Sequence, residues 1–291
     1  MASGETSIPR TPALSIPRET LRSKLERFPW WFVAMVSMAL ATMGVIFSQP
    51  SYNQAFVFIR AGIHVTITTT LAAFVISLLI GLMAGLGRIS RHVFFSNLST
   101  LYVEIVRGIP MLVLIFFIAF VAVPAVTSAL NALGKMLVDA GVTWLAWLTR
   151  IENNGVPMQM RAIIALSVTY GAFSAEVFRA GIQSIPKGQM EAARSQGMTY
   201  WQAMRYVILP QAIRNVLPAL GNDFVSMLKD SSLVSVLAVR DITQVARLYA
   251  GQTFRYPEAF TTLAVLYLIM TLILSLGVKA LERGLSHGQH R

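Results

Sequence analysis

The sequence predicts an all-α membrane protein of about six transmembrane helices. The basis is its composition, the spacing of its apolar runs and the placement of its basic residues. Hydrophobic residues make up 55% of the 291-residue chain and charged residues only 13%, with a mean hydropathy of +0.61; a soluble domain carries about 25% charged residues. A hydrocarbon core about 30 Å thick is crossed by about 20 apolar residues in a helix. Lipid offers no partner to an open backbone N–H or C=O, so helices are expected rather than open strands. Six stretches approach the spanning length: 30–48, 62–87, 109–127, 162–183, 215–239 and 259–278.

Charge sets the topology and excludes several function classes. A net charge of +11 is compatible with nucleic-acid binding, but most Lys and Arg fall in alternate inter-span segments, those on the side of the N-terminus. The positive-inside rule then places both termini and the stretch 186–210 in the cytoplasm, with attraction to anionic lipid as a secondary effect. The lipid bilayer, and no nucleic acid, is the expected environment. Cysteine is absent, which removes disulfides and thiolate metal sites. The four histidines are His64, His92, His287 and His290, and no metal site is expected from them. No HExxH motif, no nucleophile with a credible base and no paired intramembrane aspartates occur, so an intramembrane enzyme is disfavoured.

Residues 1–29 form a cytoplasmic segment with Pro9, Pro12 and Pro17, amphipathic near Leu21 to Phe28. The apolar run that follows is too long for a signal peptide and reads as an uncleaved anchor, with an outside loop completing 30–61. In the second span Gly81 and Gly85 make a small-xxx-small face for close helix approach, and His64, Thr66, Thr68, Thr69 and Thr70 read as helix packing. Pro110 starts the third span, where its missing donor does no harm. In 128–160, Leu130, Leu133, Leu137 and Ala140 recur at helical spacing before Trp144 and Trp147, which predicts a short helix lying in the outer interface.

Charges and hydroxyls within spans are the candidate path residues, since each is costly in lipid and usually faces a partner or a pathway. Tyr170 and Ser174 lie one turn apart in the fourth span, either toward a cavity or hydrogen-bonded between helices. Glu176 either joins the path or is neutralised by Arg179 three residues on. Asn222 and Asp223 follow Pro218, in a bent helix that either lines a polar cavity or caps a neighbour. Lys229, Asp230, Ser231 and Ser232 break the fifth span. Discontinuous helices at membrane depth are buried in protein or face water, and their ends can hold ionic ligands; the other reading is a kink locked by a local ion pair.

The stretch 186–210 is polar in an apolar chain. Pro186 suits a first helical turn, Glu191 to Gln196 are mostly good helix formers, and Gly197 can take the left-handed geometry that ends a helix. Thr199 and Gln202 then have capping-box spacing, Tyr200, Trp201, Met204, Val207 and Ile208 form one apolar stripe, and Pro210 ends or bends the second helix. The pattern alone fits either an elbow lying on lipid or a docking element.

"EAARSQGMTYWQAMRYVILP" resembles the signature of permease subunits of ATP-binding-cassette importers. Glu191, Ala192, Ala193, Gly197, Leu209 and Pro210 match at the family spacing, and Val207 stands for the usual Ile. "EIVRGIPMLV" (104–113), "GAFSAEVFRAGIQSIPKGQ" (171–189) and "MLKDSSLVSVL" (227–237) are similar to the polar amino acid uptake branch, with Ser231 where Thr is usual. The resemblance covers about 60–285. It implies a type I importer permease fold with a five-helix core in 62–285, the anchor helix and the 128–160 outside segment being additions, and a short cytoplasmic tail at 286–291. It also implies that 186–210, Gly188 included, are coupling helices docking on a separate ATPase subunit. The chain has no GxxxxGK[ST] sequence, so ATP is expected to be used by those partner subunits and no cofactor to be bound directly. The other implied partners are a second permease copy or a homologous permease and an extracytoplasmic solute-binding protein. A polar amino acid is the implied solute, with an opine or compatible solute, or a passive channel, as alternatives.

Overall fold

A computed structural model describes residues 30–286; the expectations for 1–29 and for the last residues of the tail lie outside them. Helix α1 spans Trp30–Ser48. Gln49 is extended, and Pro50, its missing N–H harmless in the first turn, opens α2 at Pro50–Ile59. A 3₁₀ turn at Arg60–Gly62 passes directly into α3, Ile63–Arg88. The predicted outside loop before the second span is therefore helical. Ala55 and Ile59 are fully buried there against Ile242 and Ala246, burial that periodic apolar spacing supplies and loop composition obscures.

Residues 93–108, expected as part of an inner loop, form α4, Val93–Gly108. Val103 and Val106 face inward while Phe94 and Phe95 are exposed, and the Tyr102 hydroxyl donates to the Val168 carbonyl at 2.6 Å. After Pro110 come α5 at Met111–Phe117, a π turn at Ile118–Ala122 and α6 at Val123–Asp139. The interfacial helix predicted within 128–160 is thus the extension of this span. A 3₁₀ segment, Thr143–Arg150, folds back on it, with Asn131 Nδ2 donating to the Thr149 carbonyl at 2.6 Å. Trp144 and Trp147 stay exposed.

Helix α7, Met158–Gln183, is the most buried of the long helices. Its main neighbour is α3, through the expected small-residue face: a Cβ on Gly81 would sit 2.5 Å from the Ser174 Cβ, and one on Gly85 2.8 Å from the Ala175 carbonyl oxygen. Then follow α8 at Lys187–Ser195, α9 at Tyr200–Ala203, a π turn at Met204–Ile208 and α10 at Leu209–Asp230. The helical path runs unbroken from Tyr200 to Asp230, so Pro210 does not end it. The π turn absorbs the proline by sending the Leu209 N–H back to Met204. A 3₁₀ turn at Ser231–Leu237, α11 at Ile242–Thr253 and α12 at Tyr256–Ser286 complete the bundle. Among the described residues five helical runs are long and apolar enough to span: Trp30–Ser48, Pro50–Arg88, Met111–Asp139, Met158–Gln183 and Tyr256–Gly284. The predicted 215–239 span is not one of them; it is α10, made polar by its own side chains, plus the 3₁₀ turn.

Arg161 reads in the sequence as a loop charge, yet it is only 5% exposed. Its partners are carbonyls: Nη1 donates to Ala119 at 2.8 Å, Nε to Val156 at 3.0 Å and Nη2 to Asn153 at 2.7 Å. In a π turn each N–H reaches the fifth residue back. Pro124, having no N–H, leaves the Ala119 carbonyl open, and Arg161 fills that need. Arg161→Met should destabilise the fold by about 3 kcal/mol through unsatisfied buried acceptors, read as a lowered thermal midpoint in detergent; an unchanged midpoint would contradict this account.

Candidate transport path and coupling element

The junction of α8 and α9 is held by backbone geometry. Pro186 sits just before the first helical residue, as its N-cap. At the other end Gly197 has φ +85°, its N–H donates to the Arg194 carbonyl at 3.0 Å and that of Met198 to Ala193 at 3.2 Å. These two bonds are a Schellman closure, which needs a left-handed residue at this place. Thr199 and Gln202 form the expected capping box: the Thr199 N–H donates to Gln202 Oε1 at 2.9 Å and the Gln202 N–H to Thr199 Oγ1 at 3.3 Å. Two helix ends separated by the four residues 196–199 are thus satisfied locally, which gives the turn one defined angle.

Ala193, Ala203 and Ile208 are buried within this element, whereas Gly188, Glu191, Ala192, Gly197, Leu209 and Pro210 are exposed. The predicted apolar stripe is mostly open: Trp201 is 78% exposed and only Ile208 of its members is buried. Among the described residues no ion pair joins Glu191 to Lys187 or Arg194. The element presents aromatic, apolar and charged groups outward, the mixture found at protein interfaces.

Helices α4, α7 and α10 border an open cavity of about 800 Å³ lined by Arg107, Phe173, Glu176, Ser184, Arg214, Asn215 and Asp223, among others. Glu176 is neutralised, as the i,i+3 reading has it, by Arg179, and also by Arg88 Nη1 at 2.7 Å. With Glu176 so held, the free charges of the lining are two guanidiniums and one carboxylate. Arg107 lies 5.9 Å from the Phe173 ring centre, and Asp223 is half-buried with an Oδ2 that has no hydrogen-bond partner among the described residues. Unlike charges facing one cavity suit a small zwitterion. Sequence reasoning found Glu176 and Asp223 but left Arg88, Arg107 and Arg214 among loop charges; the signal that could have found them is their position within two residues of the ends of the apolar runs.

The break within the predicted 215–239 stretch falls where the charges predict: α10 ends at Asp230 and the 3₁₀ turn begins at Ser231. The Tyr170 hydroxyl donates to Asp230 Oδ2 at 2.7 Å, joining two candidates that lie 60 residues apart. Ser231 Oγ donates to the Leu228 carbonyl at 2.7 Å and serves the helix end. No ion pair between Lys229 and Asp230 is present among the described residues, so the kink is not locked in that way. Ser174 is buried against Gly81 rather than lining the cavity, and Asn222 and Lys229 are exposed while Ser232 is half-buried. Tyr170→Phe should leave Asp230 without its donor and cost about 1–3 kcal/mol, measurable as a lower unfolding midpoint with insertion unchanged.

Residues 77–287 match the family model described as the binding-protein-dependent transport system inner membrane component. The chain is 37% identical over 226 residues to a probable glutamine ABC transporter permease protein of Bacillus subtilis, covering 77% of this chain and 91% of that protein. It is 33% identical over 206 residues to the glutamine transport system permease protein of Escherichia coli K12, covering 71% and 83%. A crystal structure of an amino acid ABC transporter with histidines superposes with a TM-score of 0.64 at 35% identity, over 82% of this chain and 97% of that one. The bundle is that of the type I importer permeases, with α1 ahead of the core. The chain belongs to the family of binding-protein-dependent transport system inner membrane components.

Proposed function

We propose that this chain is the permease subunit of an ATP-binding-cassette importer for polar amino acids, working by alternating access in a bacterial or archaeal cytoplasmic membrane. The observation that carries the reading is the α8–α9 element, whose angle is fixed by the Schellman closure at Gly197 and the capping box at Thr199. A rigid element continuous with α10 can transmit displacement into the bundle; a floppy loop cannot. ATP bound elsewhere shifts the permease only through contacts that differ between its two states, and this is the surface suited to make them.

In this scheme both termini are cytoplasmic, two ATPase subunits dock on the coupling elements of two permeases, and a solute-binding protein delivers the amino acid from outside. Closure of the ATPase pair draws the elements together and opens the spans outward; hydrolysis restores the inward-facing state. The cavity between α4, α7 and α10 receives the solute, its carboxylate toward Arg107 and Arg214 and its ammonium toward Asp223. ATP stays on the partner subunits, since the chain itself lacks a phosphate-binding loop sequence. The test is reconstitution with the ATPase subunit and binding protein: substrate-stimulated ATP hydrolysis is expected, and a passive channel would show none. Competition with the twenty amino acids, glutamine first because two relatives carry its name, then identifies the solute.

A further inference from the structure

An open cleft of about 870 Å³ lies between α2 and α11, lined by Asn53, Phe58, Val65, Arg240, Tyr249 and Gln252, among others. It belongs to the end of the bundle away from α8. Gln159 donates to Thr69 at 3.1 Å and Gly81 meets Ser174, so α3 and α7 run parallel, and α8 follows the far end of α7. By the positive-inside rule the cleft then faces outside. Its depth follows from length: the 26 residues of α3 rise about 39 Å, more than a hydrocarbon core of about 30 Å. Val65, in the first turn of α3, therefore stands at the outer border of the hydrocarbon, and the cleft opens at headgroup level.

The charge of the cleft is one-sided. Arg240 is exposed, and no carboxylate among the described residues pairs with it. Arg60 and Arg247 are exposed next to the wall residues Ala61 and Leu248, and Arg255 Nη1 donates to Gln54 Oε1, also in the wall, at 2.9 Å. Neither α2, nor α11, nor the turn at Arg60–Gly62 contains Asp or Glu. Asp241, the acid nearest in sequence, is fully buried and caps α11. Four arginines thus meet on the side where basic residues are scarce. Tyr249 stands in the wall only 5% exposed, with a hydroxyl that has no hydrogen-bond partner among the described residues. Val57, Phe58 and Leu248 add exposed apolar groups to the same lining.

We infer that this cleft seats the headgroup of an anionic phospholipid of the outer leaflet, phosphatidylglycerol being the simplest. The Arg240 fork takes two phosphate oxygens. The Tyr249 hydroxyl and the amides of Asn53 and Gln252 serve the ester oxygens and the glycerol hydroxyls, and the acyl chains leave along Val57, Phe58 and Leu248. Basic pockets between membrane helices hold lipid phosphates in this manner. The lack of a carboxylate in the lining decides among occupants. An amino acid would find no partner for its ammonium, and neither would phosphatidylethanolamine, whereas a lipid of net negative charge leaves no charge unanswered. The apolar part of the lining, at the border of the hydrocarbon, favours a lipid over a water-borne protein segment. The seated lipid bridges α2, which continues the anchor helix, to α11, so this end of the bundle responds to the anionic lipid content of the membrane. The site does not depend on which solute is carried.

Native mass spectrometry of the full-length permease assembled with its ATPase subunit, titrated with defined phospholipids, tests the assignment. Phosphatidylglycerol should bind about tenfold more tightly than phosphatidylethanolamine of the same chains, the ratio expected of one charge-assisted contact. Arg240→Gln should abolish that preference. Val57→Trp, which fills the cleft and leaves its charge, should lower phosphatidylglycerol occupancy, and Arg150→Gln, an exposed arginine outside the cleft, should change neither. Glycerol 3-phosphate, which has the phosphate without the chains, should not displace the lipid. An unaltered elution volume in size-exclusion chromatography reports that the variants are folded. Equal affinity for the two lipids, or phosphatidylglycerol held as tightly by Arg240→Gln as by the unaltered chain, overturns the assignment. Displacement of the lipid by glycerol 3-phosphate, or one for one by the solute-binding protein, overturns it as well, in favour of a free phosphate or a protein contact.

Discussion

Gly197→Val is expected to cut ATP-driven uptake by about 30-fold while leaving the chain inserted. The magnitude follows from backbone geometry. Gly197 has φ +85°, and an L-residue with a branched Cβ in the left-handed region costs about 2 kcal/mol, which is about 30-fold in an equilibrium. Nothing lies within 4 Å of the position a Cβ would take, so the cost is conformational and not a clash. It can be relieved only by opening the Schellman bonds that fix α8 against α9. Gly197→Asn is the graded control, because asparagine tolerates this region and should keep most of the uptake. Uptake and ATP hydrolysis measured together in proteoliposomes separate the cases: the valine variant should hydrolyse ATP without matching transport. Wild-type uptake by that variant would show that the angle of the turn is not transmitted.

The parts of this molecule that were legible in the sequence are those made by neighbours along the chain. The capping box of Thr199 and Gln202 joins residues three apart, the left-handed turn needs only Gly197, and the end of α10 at Asp230 is written by the charges beside it. The Gly81 and Gly85 face was legible because absence of a side chain permits only close approach. What was not legible depends on partners far away in sequence. Tyr170 and Asp230 both stood out, but their mutual bond requires the fold. Arg161 looked like a loop charge because its value lies in the Ala119 carbonyl, left open 42 residues earlier by a π turn and Pro124. Helix α4 was hidden by Arg107 and Glu104 at its end, which read as loop while Val103 and Val106 were already core. Glu176 and Arg179 were found together because they lie three residues apart, whereas Arg88, Arg107 and Arg214 were left among loop charges, because a charge next to an apolar run carries no mark of which way it turns.

Asp223→Asn is expected to move stability and transport in opposite directions. The carboxylate is half-buried between α7 and α10, lines the cavity and has an oxygen with no hydrogen-bond partner among the described residues. A charge kept there costs the fold solvation that nothing nearby returns in full. Replacing it with a neutral amide of the same shape should therefore raise the thermal midpoint in detergent. Transport should fall, because the same carboxylate is the group in the cavity able to receive an ammonium once Arg88 and Arg179 have taken Glu176. A hydrogen bond to a charged partner contributes about 1.5–3 kcal/mol, so uptake at low solute concentration should drop by about 10- to 150-fold, with docking of the ATPase subunit unchanged. Destabilisation retained in a native protein is commonly tied to function, and the two readouts distinguish that from an ordinary packing role. If Asp223 were only a helix cap, the asparagine variant would lose stability and keep its affinity for the solute, the reverse of both expectations.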